Sequence, residues 1–276
     1  MSRTIEQLIL GQATSDGAGV KLTRLLSHHL QRRLDPFLML DAFGSDNPND
    51  YIAGFPNHPH RGFETITYML KGRMLHQDSQ GNEGLLEDGG MQWMSAARGV
   101  IHSEIPQQKD GIMAGFQLWI NLPAAHKMDE PWYKDITPDG IPSTHTSTGA
   151  EIRLLAGQSH GITGAIERPN TEPLIVDVTL EANGLFQQAI PQGHNAFVVL
   201  YEGNAMIKGQ TLSPNQLAIL ANDGDQVEIQ SQTGAKLLVV AGKPLNEPIV
   251  QYGPFVMNSE QEIHQAINDY NAGKLG

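Results

Sequence analysis

Short runs of β-branched and aromatic residues, each closed by glycine, asparagine, aspartate or proline, recur down the chain. ETITYMLKG, MAGFQLWINLP, TEPLIVDVTLEANG, NAFVVLYEGNAMIKG, QLAILANDGDQVEI and AKLLVVAGKPLNEP are the clearest. Such residues suit a pleated, half-buried surface, and strands spaced this closely leave no room for helical crossovers. The pattern predicts antiparallel sheets closed into sandwiches or barrels. Helix signals are few. In SEQEIHQAINDYNAGKLG, Ser259 followed by Glu262 matches a capping box, Ile263, Ala266 and Ile267 form an apolar stripe, and Gly273 supplies a stop. One short C-terminal helix docked on a sheet face is expected.

The chain has 276 residues, the length of about two domains. YMLKG, ending at Gly72, resembles VLYEG, ending at Gly203. Aligning the glycines places Ala189, Pro191 and Asn195 opposite His58, His60 and Glu64. The second half thus repeats the strand and turn pattern without the histidines, which predicts two similar β-barrels with polar ligands in the first alone. Proline, glycine, serine, threonine and histidine become frequent between Pro123 and Gly164. The expected organisation is a metal-binding domain at 1–125, a linker or crossing segment at 126–163, and a ligand-free domain at 164–276 that ends in the helix.

There are no cysteines, which rules out disulfides and thiolate ligands and leaves any metal to histidine, aspartate or glutamate. This fits a reducing compartment, and a cytoplasmic location is expected. The formal net charge of −12 repels nucleic-acid phosphates. The densest basic cluster, Lys21, Arg24, Arg32 and Arg33, is too dispersed to reverse that. No apolar run approaches the ~18 residues of a membrane helix, and the N-terminus lacks the charged, apolar and small-residue order of a secretory signal. Neither a nucleic acid nor a membrane is expected as a partner.

FPNHPHRGFETITYMLKG sets His58 and His60 one residue apart. On a strand, positions i and i+2 share a face, so both imidazoles can reach one ion, and Pro56 and Pro59 stiffen the approach. GGMQWMSAARGVIHSEIP repeats the device with His102 and Glu104. Two such pairs on neighbouring strands provide four ligands, a set suited to a divalent first-row metal. Each pair alone is a weak signal, since surface strands carry such spacings by chance. Gln117 and Trp119 also share a strand face, and with Phe55 they are candidate pocket residues, core packing being the competing role of the two aromatics. Glu64 is read either as support to Arg61 or a ligand imidazole, or as a strand-end carboxylate. Asp41 is read equally as support to a ligand or as a turn cap. His76, His126, His145, His160, His194 and His264 are read as structural or solvated.

HPHRGFET followed by QWMSAARGVIHSE resembles the pirin family of the cupin superfamily. DPFLMLDAFG, HQDSQGNEG, FQLWINLP and GKPLNEPIVQYGPFVMNS extend the resemblance over nearly the whole chain. It implies an all-β bicupin with one mononuclear iron ion in the first barrel, Fe2+ before Mn, Ni, Cu, Co or Zn, held by His58, His60, His102 and Glu104. Glu64, which stands where other cupins carry a glutamate ligand, is not credited with coordination. The resemblance also implies a quercetin 2,3-dioxygenase-like activity. Such an enzyme opens a flavonol with O2 and releases carbon monoxide, and Glu104 is the candidate base. The alternative it implies is a redox-sensing regulator that binds transcription factors or metabolic enzymes as protein partners.

Overall fold

The computed structural model describes residues 1–275. Two compact units emerge, and neither is contiguous in sequence. One comprises Ala13–Arg32, Phe37–Pro138 and the tail from Leu245; the other comprises Met1–Gln12, Arg33–Pro36 and Asp139–Pro244.

The first unit has a seven-stranded sheet in the order Trp132–Ile136, Met91–Ser95, Phe63–Lys71, Met113–Asn121, Phe37–Ser45, Val20–Leu26, Gln12–Asp16. A four-stranded sheet completes it, in the order Phe55–His60, Val100–Pro106, Met74–Asp78, Glu83–Leu86. Its pairings are antiparallel, as the short turns require. The second unit repeats this plan. Its seven strands run Ile5–Leu10, Gln216–Leu220, Asn195–Gly203, Ala235–Gly242, Leu174–Leu180, Ala150–Ala156, Ser143–His145, and its four run Gly184–Ala189, Gln226–Ser231, Ala205–Ile207, Gln210–Leu212. The strands preceding Gly72 and ending at Gly203 occupy the same third place in their sheets. These are two cupin-type barrels, as the repeat predicts.

The linear division at 125 and 163 differs from this arrangement in three places. Ile5–Leu10 pairs with Gln216–Leu220 and so belongs to the second barrel. Residues 126–163 are not a linker: Trp132–Ile136 pairs with Met91–Ser95, and Ala150–Ala156 pairs with Leu174–Leu180. The C-terminal helix, Glu260–Asn271, belongs to the first barrel. Composition registers turn content and exposure, and it carries no information on which distant strand a segment joins.

The tail is anchored on the turn after His60. Val256 N donates to Arg61 O at 3.0 Å, and Phe255 bridges to Arg61. Gly62 has φ +92°, and a Cβ there would lie 2.0 Å from Val256 O, so only glycine permits the approach. Lys127, fully buried, donates its ammonium to Gly62 O (2.7 Å), Asn121 Oδ1 (2.6 Å) and Val256 O (2.9 Å). Ser259 caps the helix as the sequence predicts: its Oγ accepts from Glu262 N and donates to Glu262 Oε2, which also accepts from Asn258 N. The apolar stripe packs Ile263 and Ala266 against Phe255, Met257 and Leu275, and Asp269 pairs with Arg61 at 2.8 Å. Among the described residues, no helix is long and apolar enough to cross a membrane.

Candidate metal centre

Phe55–His60 is the edge strand of the four-stranded sheet. An edge position tolerates Pro56 and Pro59, because a proline there removes no ladder hydrogen bond. Its neighbour, Val100–Pro106, sets His102 directly opposite His58, and the register slips between His102 and Glu104. The two i, i+2 pairs therefore meet side by side. The three rings converge, with centroids 4.7 Å apart for His58 and His60, 4.3 Å for His58 and His102, and 4.9 Å for His60 and His102. One ligand atom from each lies within 4.8 Å of the others.

Hydrogen bonding leaves one nitrogen of each ring bare. His58 Nδ1 donates to Pro56 O at 2.8 Å, which turns Nε2 to the cluster. A ring N–H of His60 donates to the Pro254 carbonyl, supplied by the tail, while its Nδ1 is buried without a partner. His102 Nε2 is likewise buried and unpartnered. Such orphaned nitrogens cost free energy unless something binds them. Burial, reinforced by neighbouring histidines, holds His60 and His102 well below the ordinary imidazole range, so both keep a lone pair at neutral pH. Three imidazoles with converging bare nitrogens fit a divalent first-row metal.

Glu104 is 2% exposed. Its Oε1 accepts from Thr67 Oγ1 at 3.0 Å and its Oε2 from Gln117 Nε2 at 2.8 Å, and it lies outside the group formed by the three imidazoles. Glu64 Oε2 accepts from Trp93 Nε1 at 3.1 Å. Arg61, which the sequence offers as its partner, instead pairs with Asp269. Asp41 neither supports a ligand nor caps a turn. It lies mid-strand in a bidentate pair with Arg24 at 2.9 and 2.7 Å, and burial raises its carboxyl despite that partner.

A cavity of about 630 Å³ opens onto the site. Phe55, Gln117 and Trp119 line it together with His58 and His60, and the Arg24–Asp41 pair lies on its wall. Trp119 stacks on Phe63 at 4.2 Å and meets His60 edge-on at 5.2 Å. Its indole Nε1 is a buried donor without a partner.

His76, read in the sequence as structural or solvated, lies against this cluster. It is 1% exposed, and its Nδ1 stands 3.3 Å from His102 Nδ1. Its Nε2 stands 3.2 Å from Asp78 Oδ2. The signal was present, since HQD is a third i, i+2 pair of the same kind as HPH and HSE.

Residues 19–120 match the Pirin family and residues 175–276 the Pirin C-terminal cupin domain. A Pseudomonas aeruginosa protein named "Putative quercetin 2,3-dioxygenase PA3240" is 51% identical over 281 residues, covering 99% of this chain and 98% of that one. A "Pirin-like protein" of Caulobacter vibrioides is 42% identical, covering 99% of each chain. The crystal structure of a quercetin 2,3-dioxygenase from Acinetobacter baumannii superposes with a TM-score of 0.94 at 34% identity, covering 100% of this chain and 99% of that one. With its two cupin barrels, its histidine cluster and these relatives, the chain belongs to the pirin family.

Proposed function

We propose that this protein is an iron-dependent dioxygenase of flavonols such as quercetin, with His58, His60, His102 and Glu104 as the ligands of one iron ion. The observation that carries the reading is that His58 and His60, two of the three converging imidazoles, line a cavity of about 630 Å³. A metal held only for structure needs no such space, whereas a pocket of ~300–1,000 Å³ suits a small organic substrate. The family relatives named for quercetin dioxygenation support the same direction. A chain without cysteines is suited to work in the cytoplasm.

Bound there, a divalent iron supplies Lewis acidity toward the substrate's 3-hydroxyl oxygen and electron density for O2. The chain does the rest. Phe55 and Trp119 offer flat apolar surfaces to an aromatic substrate. Glu104 accepts the 3-hydroxyl proton, which leaves the flavonol electron-rich enough to react with O2. Thr67 and Gln117 hold the Glu104 carboxylate in a defined orientation for that transfer.

Anaerobic loading with quercetin followed by admission of O2 tests this reading, with carbon monoxide as the product measured. Wild-type iron-loaded protein is expected to turn over, and Glu104→Gln to lose about 10²- to 10⁴-fold, the span of general acid–base catalysis. Full turnover by metal-free protein or by Glu104→Gln sinks the proposal. Redox-dependent capture of a protein partner without flavonol turnover would favour the regulatory reading.

A further inference from the structure

The strand Met74–Asp78 lies on the far side of Val100–Pro106 from the HPH strand, with Asp78 paired to His102 and His76 to Glu104. Behind the His102 ring this places a line of three groups, His102, His76 and Asp78, whose hydrogen bonds have a forced direction. Asp78 Oδ1 accepts from Gln80 N (2.9 Å), Asn82 N (3.0 Å) and Asn82 Nδ2 (3.1 Å), and Oδ2 accepts from Asn82 Nδ2 at 2.9 Å. A carboxylate surrounded by donors presents only lone pairs, so the proton in its contact with His76 sits on Nε2. In this Nε2–H tautomer His76 has a bare Nδ1, and the proton shared with His102 sits on His102 Nδ1. His102 Nε2 is left bare, and this is the nitrogen found buried without a partner. The His76 ring is held in place by stacking on Tyr133, centroids 4.4 Å apart at 21°. The Tyr133 hydroxyl donates to Asp135 and accepts from Gln92.

We propose that Asp78 and His76 are positioning residues that lock His102 as its Nδ1–H tautomer and so aim its Nε2 lone pair at the metal. The proposal rests on the reading that the three imidazoles hold a metal, and it assigns a role to two residues that touch neither metal nor substrate. A histidine ligand whose second nitrogen donates to a fixed acceptor is a better donor to the ion. Here the fixed acceptor is another histidine, and its own polarity is set by a turn carboxylate.

The direction of the chain makes Asp78→Asn a sharp test. The backbone N–H groups of Gln80 and Asn82 demand an acceptor where Oδ1 now stands. The amide carbonyl therefore stays there and keeps its bond from Asn82 Nδ2, while the amide nitrogen takes the place of Oδ2 and gives up the second bond from that donor. It donates to His76 Nε2, the proton moves to His76 Nδ1, and His102 must accept on Nδ1 and carry its proton on Nε2. The whole chain reverses with no change of side-chain shape.

Two measurements read this out. Imidazole ¹⁵N shifts of the metal-free protein are expected to show His102 as Nδ1–H in wild type and Nε2–H in Asp78→Asn. Competition for Zn2+ against a chromophoric chelator is expected to show affinity about 10- to 100-fold lower in Asp78→Asn. If Asp78→Asn does not fold, His76→Phe replaces it: the ring still stacks on Tyr133 but accepts nothing, so the Nε2–H form of His102 should appear and the affinity should fall. An Nε2–H His102 in wild type overturns the inference, as does unchanged zinc affinity in a folded variant. Wild-type protein with the Nδ1–H form but no zinc binding refutes the metal reading instead, which keeps the two failures apart.

Discussion

The two barrels share one plan and fill it differently. At the centre of the four-stranded sheet, the first barrel carries His102 and Glu104, whereas the corresponding strand of the second buries Val227, Ile229 and Ser231. On the edge strand, where the first barrel carries His58 and His60, the second buries Phe186 and Gln188. The second interior is one continuous hydrocarbon cluster, from Ala150 and Leu154 through Phe186, Val198 and Ile229 to Val239. The first has apolar clusters as well, but Asp41, Thr65, Thr67, His76, Gln92 and Glu104 are buried there with them. The backbone accommodates either content. Hydrocarbon filling stabilises, because each buried large side chain contributes ~1.5–3 kcal/mol, but it leaves nothing that can bind an ion. Polar filling leaves bare nitrogens and a cavity, and its stability must come from elsewhere in the unit.

The strongest way to break this contrast is to exchange effects between the barrels. His102→Ala is expected to abolish bound metal at a cost of only about 1–3 kcal/mol to the metal-free protein, because it removes one nitrogen, Nε2, that already lacks a partner and leaves His76 Nδ1 without its own. Phe186→Ala should do the opposite, costing about 3–5 kcal/mol and leaving the metal content of the folded fraction unchanged. Elemental analysis and urea unfolding of the same preparations read both. A folded Phe186→Ala protein without metal, or a His102→Ala protein as destabilised as Phe186→Ala, would collapse the distinction.

What could be read in the sequence was what is local. Strand alternation, turn residues and the Ser259 cap act within a few positions, so the all-β class and the terminal helix were legible. HPH and HSE were legible for the same reason, since chelation from i and i+2 needs only strand geometry. Long-range pairing leaves no such trace. Nothing in Ile5–Leu10 names Gln216–Leu220 as its partner, and nothing in the tail names the turn at Gly62. His76 was hidden by sheet order: it matters only because Met74–Asp78 lies beside Val100–Pro106. Asp41 was misread because its partner Arg24 faces it across a strand register. The role of Glu64 was hidden in the same way, since Trp93 reaches it from a neighbouring strand.

A smaller effect sharpens the question of how the polar barrel is supported. Lys127 ties the Gly62 turn to Val256 of the tail and to Asn121, and the tail supplies the Pro254 carbonyl that holds the His60 ring. Lys127→Met keeps the side-chain length and leaves three buried acceptors without that donor. A cost of about 2–3 kcal/mol is expected, together with weaker metal retention, as His60 loses its fixed orientation. Urea unfolding and metal retention on desalting measure the two parts. Wild-type values in both would mean that the tail is not what braces the site.

The mildest perturbation is acid. His60 and His102 are held below the ordinary imidazole range by burial. In metal-free protein the unfolded chain takes up protons as pH falls through about 6.5, while these two buried rings stay neutral. The unfolded state then binds more protons, so their contribution is complete above about pH 6.5 and is lost as pH falls toward their depressed folded values. Two such rings set an upper slope of about 2.7 kcal/mol per pH unit. Metal retention should fail in the same direction, because protons and the ion compete for the same lone pairs. Urea unfolding of metal-free protein between pH 7.5 and 5.5 gives the slope, and a His60→Asn, His102→Asn double variant should flatten it. If the slope survives the double substitution, the acid sensitivity lies outside the three-histidine cluster, and the polar barrel's vulnerability must be sought in its other buried groups.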